Sequence, residues 1–513
     1  MTKIYALIIA LCMFAGNGLY AQTTAGTDFW VAFGQNHDRS MEQLIFQIKI
    51  VTTNAAKVTL TFTDLDVNKT IYIPAGTTRT INLTPDEKVA VYSTGPEWLK
   101  KSLHITSDKP VSVYALNSAQ FTSDATNILP TNVWGTDYYH ISYTGYTGNV
   151  GTPPISVDYR DAITIVGTAA GTKATCISRT DTITRDLGAG STWYIKANKN
   201  TDLTGWHITS NKPIAYFVTH QGAMIPDKAN SNPDNLFQQL APTTSWGTRF
   251  FVPDVGITRQ YPLLVRVMAS QNGTKITHKG GTVKSGSLSL KKGEFVTLSI
   301  SNTGCFISSN NPVGVCSYLI SYENDNDTLK SDGGPAMVWI PPVEQSVTST
   351  TVSSFQTFTK EFYAIVVTPE STRKNTTVTI NGKTTSLNEA NWTSRAGYSY
   401  IRYRMTSDNP HTFSNHAGLT GLVMGLGDSE SYYYLGGSSM YNLEMKFSVN
   451  GENFQDIFGK TICKENVELK AEILYADKVS GYPKWYIDGN LETSATEKLS
   501  WNVKLSPGKR TIT

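Results

Sequence analysis

A short phrase recurs along this chain of 513 residues at a nearly constant spacing. It reads "HITSDKPVSVYAL" at 104–116, with variants at 207–220, 306–319 and 404–416. The prolines in these variants are Pro110, Pro213, Pro312 and Pro410, separated by 103, 99 and 98 residues. The spacing indicates units near 100 residues, long enough for each to bury a core of its own.

A second phrase recurs in step with the first. It reads "GTDFW" at Gly26, "GTDYY" at Gly135 and "GTRFF" at Gly247, and we assign "TKEFY" at Thr359 as a degraded fourth copy. Two unrelated phrases with one period predict a tandem array of four units, and such arrays usually bind or space rather than catalyse.

The composition favours a β-rich extracellular protein. Only 17% of residues are charged, the net charge is +3, and aromatic residues reach 11%. Helix formers are few, whereas Thr, Ser, Asn, Gly and Tyr are frequent. No basic stripe stands out along the sequence, so we expect no nucleic-acid partner.

The amino terminus predicts secretion. Lys3 precedes an apolar run over 4–15, and Ala21 offers a small residue before a cleavage point. We therefore expect residues 1–21 to be a signal peptide, and the mature chain to be secreted, extracellular or on the outer surface. Leu11 before Cys12 argues against lipoprotein processing, and no later segment is long and apolar enough to span a bilayer.

The second unit shows the fold class most clearly. "AITIVGT" and "KATCIS" flank "AAGT", "TITRDL" and "STWYIKA" flank "GAG", and "GWHITS" and "IAYFVTH" flank "NKP". We interpret these as three hairpins among about seven short strands, which is typical of an antiparallel β-sandwich. In the third turn the short polar side chains can bond the backbone, and proline fits at the first strand position. A β-propeller would need a period of 40–50 residues, which is absent, although four units could still close on one another.

The predicted organisation is all-β, with tandem antiparallel sandwich repeats followed by a different domain. The predicted boundaries are 1–21 (signal peptide), 22–130, 131–242, 243–342 and 343–440 (four β repeats), and 441–513 (tail). The tail lacks both phrases and places a tryptophan strand (Trp485) after a cysteine strand (Cys463). We expect an immunoglobulin-like or polycystic-kidney-disease-like domain that is incomplete at Thr513.

The cysteines do not form a disulfide framework, since only four lie beyond the signal segment: Cys176, Cys305, Cys316 and Cys463. Cys305 and Cys316 flank the predicted third turn of their unit. Strand parity places them on opposite faces, which favours two separate thiols over a bond.

Catalytic motifs are absent, so we predict a protein that is not an enzyme and needs no cofactor. One alternative is a pair of carboxylates in a cleft between repeats. The weak metal candidates are Asp325, Asp327 and Asp332, whose hard oxygens suit calcium. Their loop matches "TSDAT" (122–126) and "NPDNL" (232–236), which suggests instead a recurring, solvated Asp turn.

Two aromatic patterns are better explained by packing than by ligand binding. Trp134 and Trp246 each precede a "GT" phrase and read as strand-entry residues rather than sugar platforms. His104 and His207 share one repeat position, and we expect them to pack at the core or its rim.

The phrases "GTDFWVAF", "ITSDKPVSVYAL", "SDATNILPTNVWGTDYY" and "SYYYLGG" together resemble the amino-terminal domain of the IgGFc-binding protein family, over roughly residues 25–440. That family occurs in a mucus-associated animal protein and in secreted proteins of Gram-negative bacteria. The resemblance implies an extracellular binding module. It carries over no binding residue, because the matching positions are strand and turn positions.

Two functions follow as hypotheses. The first is a secreted or cell-surface binding or adhesion protein, with host mucus glycoproteins or immunoglobulin as candidate ligands. The alternative is a structural spacer that presents other domains and has no ligand of its own.

Overall fold

The structure is a computed structural model. It describes residues 23–65, 67–95, 98–150, 153–226, 233–255, 263–301, 303–320, 333–388, 390–406, 408–443, 445–453, 466–473, 485–488, 490–495 and 498–505. The chain divides into two compact units, 1–441 and 442–513. The predicted signal peptide lies outside the described residues. Among the described residues, no helix has the length and apolar character needed to cross a bilayer.

The first unit contains four copies of one strand arrangement, bounded as follows. Copy 1 contains β1 (Ala25–Val31), β2 (Phe33–Gly34), β3 (Ile45–Thr52), β4 (Ala56–Phe62), β5 (Val67–Ile73), β6 (Thr77–Asn82), helix α1 (Pro85–Val89), β7 (Tyr92–Ser93), β8 (Trp98–Leu99), β9 (Leu103–Ala119) and β10 (Thr122–Ile128). Copy 2 contains a 3-10 turn (Thr131–Val133), β11 (Asp137–Tyr139), β12 (Tyr146–Val150), β13 (Ile155–Tyr159), β14 (Ala162–Gly167), β15 (Thr172–Ile177), β16 (Thr182–Leu187), β17 (Ser191–Lys196), β18 (His207–Ser210), β19 (Ile214–Ala223) and β20 (Asp234–Gln239).

Copies 3 and 4 complete the first unit. Copy 3 contains a 3-10 turn (Thr243–Ser245), β21 (Gly247–Val252), β22 (Leu263–Ala269), β23 (Thr274–Lys279), β24 (Thr282–Ser285), β25 (Ser289–Leu290), β26 (Phe295–Ile300), β27 (Cys305–Leu319) and β28 (Ala336–Ile340). Copy 4 contains a 3-10 turn (Val343–Gln345), β29 (Val347–Val352), β30 (Thr359–Pro369), a 3-10 helix (Glu370–Asn375), β31 (Thr377–Ile380), β32 (Lys383–Ser386), β33 (Thr393–Arg395), β34 (Tyr398–Arg404), β35 (His411–Gly427) and β36 (Glu430–Gly437).

Copy 2 shows the arrangement in its simplest form, two antiparallel sheets. One has the order β11-β18-β15-β16, and β20-β19-β14-β17 run side by side in the other. In the other copies β18 and β19 are replaced by one continuous strand, β9, β27 or β35, whose two halves pair in the two sheets. We call this the long strand. The predicted all-β fold of tandem sandwich repeats is confirmed, while the residue boundaries assigned between repeats remain predictions.

The predicted hairpins were wrong, although the strands were placed correctly. β14 pairs with β17 and β19, and β15 pairs with β16 and β18, so "AAGT" and "GAG" carry the chain from one sheet to the other. The third predicted turn separates β18 from β19, which lie in different sheets. In copies 1 and 3 the same position is where the long strand changes sheets. A turn signal specifies a change of direction, but burying both inner faces between two sheets decides which strands pair.

The recurring phrase marks this change of sheet in copies 1 to 3. Its Asp or Asn accepts a backbone N–H from a neighbouring strand: Lys57 N to Asp108, Lys173 N to Asn211 and Lys275 N to Asn310, at 2.6–2.7 Å. The proline follows where no ladder donor is needed. These contacts explain the phrase as a structural junction.

In copy 4 the predicted alignment was wrong. Pro410 lies just before β35. Leu419 pairs with Val347 in the same way that Val111 pairs with Gly26. The residue that corresponds to Pro110 is therefore Gly418. The first strand of this copy therefore begins at Val347 rather than at Thr359.

The glycine of the "GT" phrase is explained by contact with the proline that leads into the next copy. A Cβ added to Gly26, Gly135 or Gly247 would lie 2.4–2.5 Å from the Cβ of Pro130, Pro242 or Pro342, respectively. Trp134 and Trp246 follow the first two of these prolines, are buried, and donate Nε1–H to the carbonyls of Leu129 and Ala241. This is the packing role predicted for the tryptophans.

The two ends of the first unit meet. Thr23 bridges to Ser439, the backbone N–H of Thr24 donates to the Ser438 carbonyl at 2.9 Å, and the Ser438 N–H donates to Thr24 Oγ1 at 3.2 Å. Copy 4 therefore contacts the start of copy 1, and the array closes on itself.

The second unit contains β37 (Met445–Val449), β38 (Glu452–Asn453), β39 (Asn466–Ile473), β40 (Tyr486–Ile487), β41 (Asn490–Leu491), a 3-10 turn (Thr493–Ala495) and β42 (Ser500–Lys504). Its main sheet has the order β38-β37-β39-β42. Trp485 is buried against Val467, Leu469 and neighbouring apolar side chains and donates Nε1–H to the Lys498 carbonyl. Cys463 lies outside the described residues, so the immunoglobulin-like assignment stays a prediction.

Candidate functional site

The final strands of the four copies, β10, β20, β28 and β36, pack together, and we call them the central strands. The carboxylate of Asp124, which is fully buried, joins all four. Its Oδ2 accepts the N–H groups of Phe237 and Met337, and its Oδ1 accepts those of Ala125 and Tyr433, at 2.9–3.1 Å. Burial raises the pKa of Asp124, while these four donors oppose the rise. Asp124 therefore holds the four copies together. It lies within β10, so its assignment to a recurring Asp turn was wrong.

Two more carboxyl groups lie close to the same strand. The Ser123 N–H donates to Asp234 Oδ1 at 2.7 Å, and its hydroxyl donates to Glu430 Oε2 at 2.7 Å. Burial raises the pKa of Glu430 to about 7, and burial together with Glu430 raises that of Asp234. Both side chains are sealed from solvent, so this pair of carboxyls has no open cleft for a substrate.

The candidate metal ligands Asp325, Asp327 and Asp332 lie outside the described residues, so calcium binding remains untested. Within the described ranges, no group of three or more acidic, histidine or cysteine side chains is arranged to hold a metal ion. Of the second Asp segment, "NPDNL", Asp234 begins the buried strand β20.

A group of segments contacts the residues next to the carboxyl cluster, since Asn36 accepts from Thr122 and His37 bonds Pro233; we call it the loop face. It comprises residues 35–43, the turn 120–121 and the paired strands β12 and β13. Arg39 donates to the Gln120 carbonyl at 3.1 Å, while His37 bonds the Pro233 carbonyl and stacks on Tyr159 with 4.3 Å between ring centroids. Burial and Arg39 lower the pKa of His37 to about 3, so its imidazole is neutral and serves as a structural link.

Phe121 stands out on the loop face. It is the second residue of a two-residue turn between β9 and β10, its φ is +67°, and its side chain is 43% exposed. Non-glycine residues rarely adopt this conformation, and strained residues concentrate at functional sites. Copy 4 has the same two-residue turn with Ser429 at φ +61°. The turn geometry therefore does not require an aromatic residue, and the large apolar ring is a feature of copy 1.

Ile155 on the β12–β13 hairpin is 64% exposed and adds a second apolar side chain to the loop face. Sequence reasoning missed both residues. The available signal for Phe121 was an aromatic residue between two strands where glycine or asparagine is usual. Loops at one end of a rigid β-sandwich are a common place for recognition residues.

The predicted histidine positions are confirmed as packing positions. His104 stacks on Trp30 with 4.1 Å between centroids and bonds Asp28, while His207 stacks on Tyr139 and bonds Asp137. Cys176, Cys305 and Cys316 are free and buried, and burial raises the pKa of each thiol. The last two thiols lie on one continuous strand, not on two arms of a hairpin.

Four antiparallel β-sandwich copies whose first and last strands meet define the class of the protein, an all-β sandwich repeat protein. The family described as IgGFc binding protein matches residues 124–425, more than half of the chain. The chain therefore belongs to the IgGFc binding protein family, as the phrases of the sequence indicated.

A curated relative is the IgGFc-binding protein of Homo sapiens. It is 24% identical over 426 residues, a match that spans 80% of this chain and 7% of the length of the human protein. The solved structures found include a Salmonella alpha-2-macroglobulin reacted with methylamine, at 9% identity and TM-score 0.13, covering 97% of this chain and 37% of that one. They also include a Ca2+-stabilized adhesin of an Antarctic bacterium, at 12% identity and TM-score 0.11, covering 82% and 99%. Neither structural likeness is close enough to support an argument.

Proposed function

We propose that this protein is a secreted or cell-surface binding protein that recognises an extracellular protein through the loop face, with immunoglobulin Fc as the first candidate. The observation that carries the proposal is Phe121, an exposed aromatic ring held at a strained turn. Aromatic side chains supply a large rigid contact area at low entropic cost, and they dominate many protein interfaces. The name of the human relative supplies the candidate ligand.

The closure of the first unit favours recognition over the spacer alternative. A stalk separates its two ends, whereas here Thr24 and Ser438 are hydrogen-bonded to each other. Four copies arranged in this way add little to the distance between the two ends of the unit, but they hold the loop face on a rigid base. The buried carboxyl cluster and Asp124 fix β10, the strand that follows the turn bearing Phe121.

The test is binding of the purified chain to immobilised immunoglobulin Fc, with mucin as a second probe. Phe121→Asn removes the ring and keeps a residue that tolerates positive φ. Tyr72→Ser is the matched control, because Tyr72 is 76% exposed on β5, outside the loop face. We expect Phe121→Asn to weaken binding at least tenfold and Tyr72→Ser to leave it unchanged. Absence of binding to either probe, or equal affinity of wild type and Phe121→Asn, would contradict the proposal.

A further inference from the structure

The outward face of copy 3 differs from the same face of copies 1 and 2. In each copy three strands pair side by side there, and a row of three residues crosses them: Asp28, Thr106 and Thr59 in copy 1, Asp137, Thr209 and Thr175 in copy 2, and Arg249, Ser308 and Thr277 in copy 3. Copy 3 thus carries a guanidinium where the other two copies carry a carboxylate.

Two lysines flank this row on β23. Lys275 and Lys279 lie two residues before and after Thr277, so all three point to the same face, and all three are exposed. The Cα atoms of Lys275 and Lys279 are about 13 Å apart along the strand. The residues equivalent to Lys279 in copies 1 and 2 are uncharged, Thr61 and Ile177.

The positive charge on this face is largely unneutralised. Arg249 is 56% exposed at its side chain and bonds Glu344 at 3.0 Å. Neither Lys275 nor Lys279 forms an ion pair with any residue that the structure describes. From 263 to 301 the chain has five lysines and one acidic residue, Glu294, an excess that the small net charge of the whole chain hides.

Hydroxyl and aromatic groups lie between these cations. Thr277 Oγ1 and Ser308 Oγ are 2.7 Å apart at the centre of the face. At one end Phe306 stacks on Tyr398 of copy 4, with 5.8 Å between centroids, and both rings are partly exposed. Arg395 of copy 4 packs over Gly280 beside Lys279 and donates to Thr303 Oγ1 at 2.6 Å. The face therefore combines cations, hydroxyls and an aromatic edge on one sheet.

We propose that this face binds an acidic polysaccharide, with Arg249, Lys275 and Lys279 pairing its sulfate or carboxylate groups and the Thr277–Ser308 pair bonding sugar hydroxyls. Charges on such a polymer are more widely spaced than the phosphates of a nucleic-acid strand, which recur about every 3.4 Å. Three cations spread over one sheet face, with the two lysines about 13 Å apart, suit the wider spacing. The site lies on copy 3, on residues separate from the loop face, and it stands independently of the immunoglobulin proposal.

The experiment measures binding of the full chain to heparin, with neutral dextran as the uncharged probe. The double variant Lys275→Glu/Lys279→Glu is compared with Lys57→Glu/Lys173→Glu, which makes the same charge change at the positions equivalent to Lys275 in copies 1 and 2. We expect the copy 3 variant to weaken heparin binding at least tenfold and the control pair less than twofold. Binding should also weaken as salt screens the charges, and dextran should not bind.

If both double variants lost heparin affinity equally, the effect would come from the net charge of the chain rather than from this face, and the proposal would be overturned. Absence of heparin binding by the wild type would overturn it too. So would tighter binding of a single-stranded DNA of about 20 nucleotides than of heparin, because that result would assign the face to nucleic acid. Thermal unfolding of each variant verifies that it is folded. Phe121→Asn should leave heparin binding intact, so failure at this face and failure at the loop face are distinguishable.

Discussion

Lys49 and Arg266 occupy the same position in copies 1 and 3, and each carries a buried positive charge into the copy before its own. Lys49 pairs with Tyr114, and Arg266 pairs with Cys316. Tyr114 and Cys316 are equivalent, because each lies three residues after the change of sheet in its long strand. The Lys49 amine donates to the Ser354 carbonyl of copy 4, and the Arg266 guanidinium donates to the equivalent Ser142 carbonyl of copy 2. Copies 2 and 4 have Thr164 and Ile365 at this position. Buried cations therefore join alternate pairs of copies.

The two cations differ in what their removal leaves behind. Arg266 also bonds Asp202 at 2.7 Å, so Arg266→Met leaves a carboxylate without its partner and should destabilise the chain by about 3 kcal/mol. The partners of Lys49 are a hydroxyl and a carbonyl, and Lys49→Met should cost about 1 kcal/mol or less. Chemical denaturation at pH 7 measures both. Equal costs would show that the ion pair with Asp202 contributes nothing.

Lys49 also predicts a dependence on alkaline pH. Burial lowers its pKa to about 8, below its ordinary value of 10.5. Between these values the unfolded chain binds more protons than the folded chain, so the stability of the wild type relative to Lys49→Met should rise from pH 8 to 10.5, by about 1–3 kcal/mol. Urea denaturation of both proteins across this range tests it. A constant difference would mean that Lys49 titrates normally.

Glu430 predicts the opposite dependence at mildly acidic pH. Its pKa in the folded chain, about 7, lies above its ordinary 4.5, so the folded chain binds the extra proton. The stabilisation is complete below about pH 4.5 and is lost as the pH rises to 7; relative to Glu430→Gln, the wild type should lose about 2 kcal/mol. The titratable groups nearby are Asp234, Asp428 and Lys360, and Asp124 lies next to Asp234. If the two proteins show parallel pH profiles, Glu430 does not hold this proton.

Asp124 should be one of the least replaceable residues in the chain. Asp124→Asn replaces a carboxylate oxygen by an NH₂ group that cannot accept the backbone N–H groups pointing at it, and we expect a loss of about 3–5 kcal/mol. Asp108→Asn is the matched control, since copies 2 and 3 already carry Asn211 and Asn310 at that position. It should change stability by less than about 0.5 kcal/mol. Similar losses in the two variants would refute a special role for Asp124.

Gly135 tests the contact between the first strand of copy 2 and the segment that leads into copy 3. Gly135→Ala places a methyl group about 2.5 Å from the Cβ of Pro242, so the segment at Pro242 must shift, and we expect a cost of about 1–3 kcal/mol. At Gly95, which has no atom within 4 Å of an added Cβ, alanine should be nearly neutral. Thermal unfolding compares the two. A neutral Gly135→Ala would show that the contact with Pro242 is loose.

The positions of the strands could be predicted from the sequence because alternating apolar residues and turn residues mark them locally. Their pairing could not, since "AAGT" and "GAG" are compatible both with a hairpin and with a crossing between sheets. Copy 4 was misaligned because "TSDNP" at 406–410 has the same turn chemistry as the true junctions, while its own junction uses Gly418 in place of proline.

The candidate site was harder to predict for two physical reasons. Asp124 and Ser123 are polar residues in a fully buried strand, and polar patterning normally indicates exposure. Phe121 depends on a positive φ, which its residue type argues against. Trp134 and Trp246, which precede the "GT" phrase, were correctly assigned to packing. The proline contacts of the adjacent glycines could not be predicted, because these prolines lie about 100 residues further along the chain.

The seam at Thr24 and Ser438 has a consequence for longer polypeptides. A chain can enter this module and leave it at almost the same point, so the module can be carried as an insertion without pushing its neighbours apart. For the same reason, joining the seam with a short linker and opening the chain in another surface turn should give a circular permutant with the same fold.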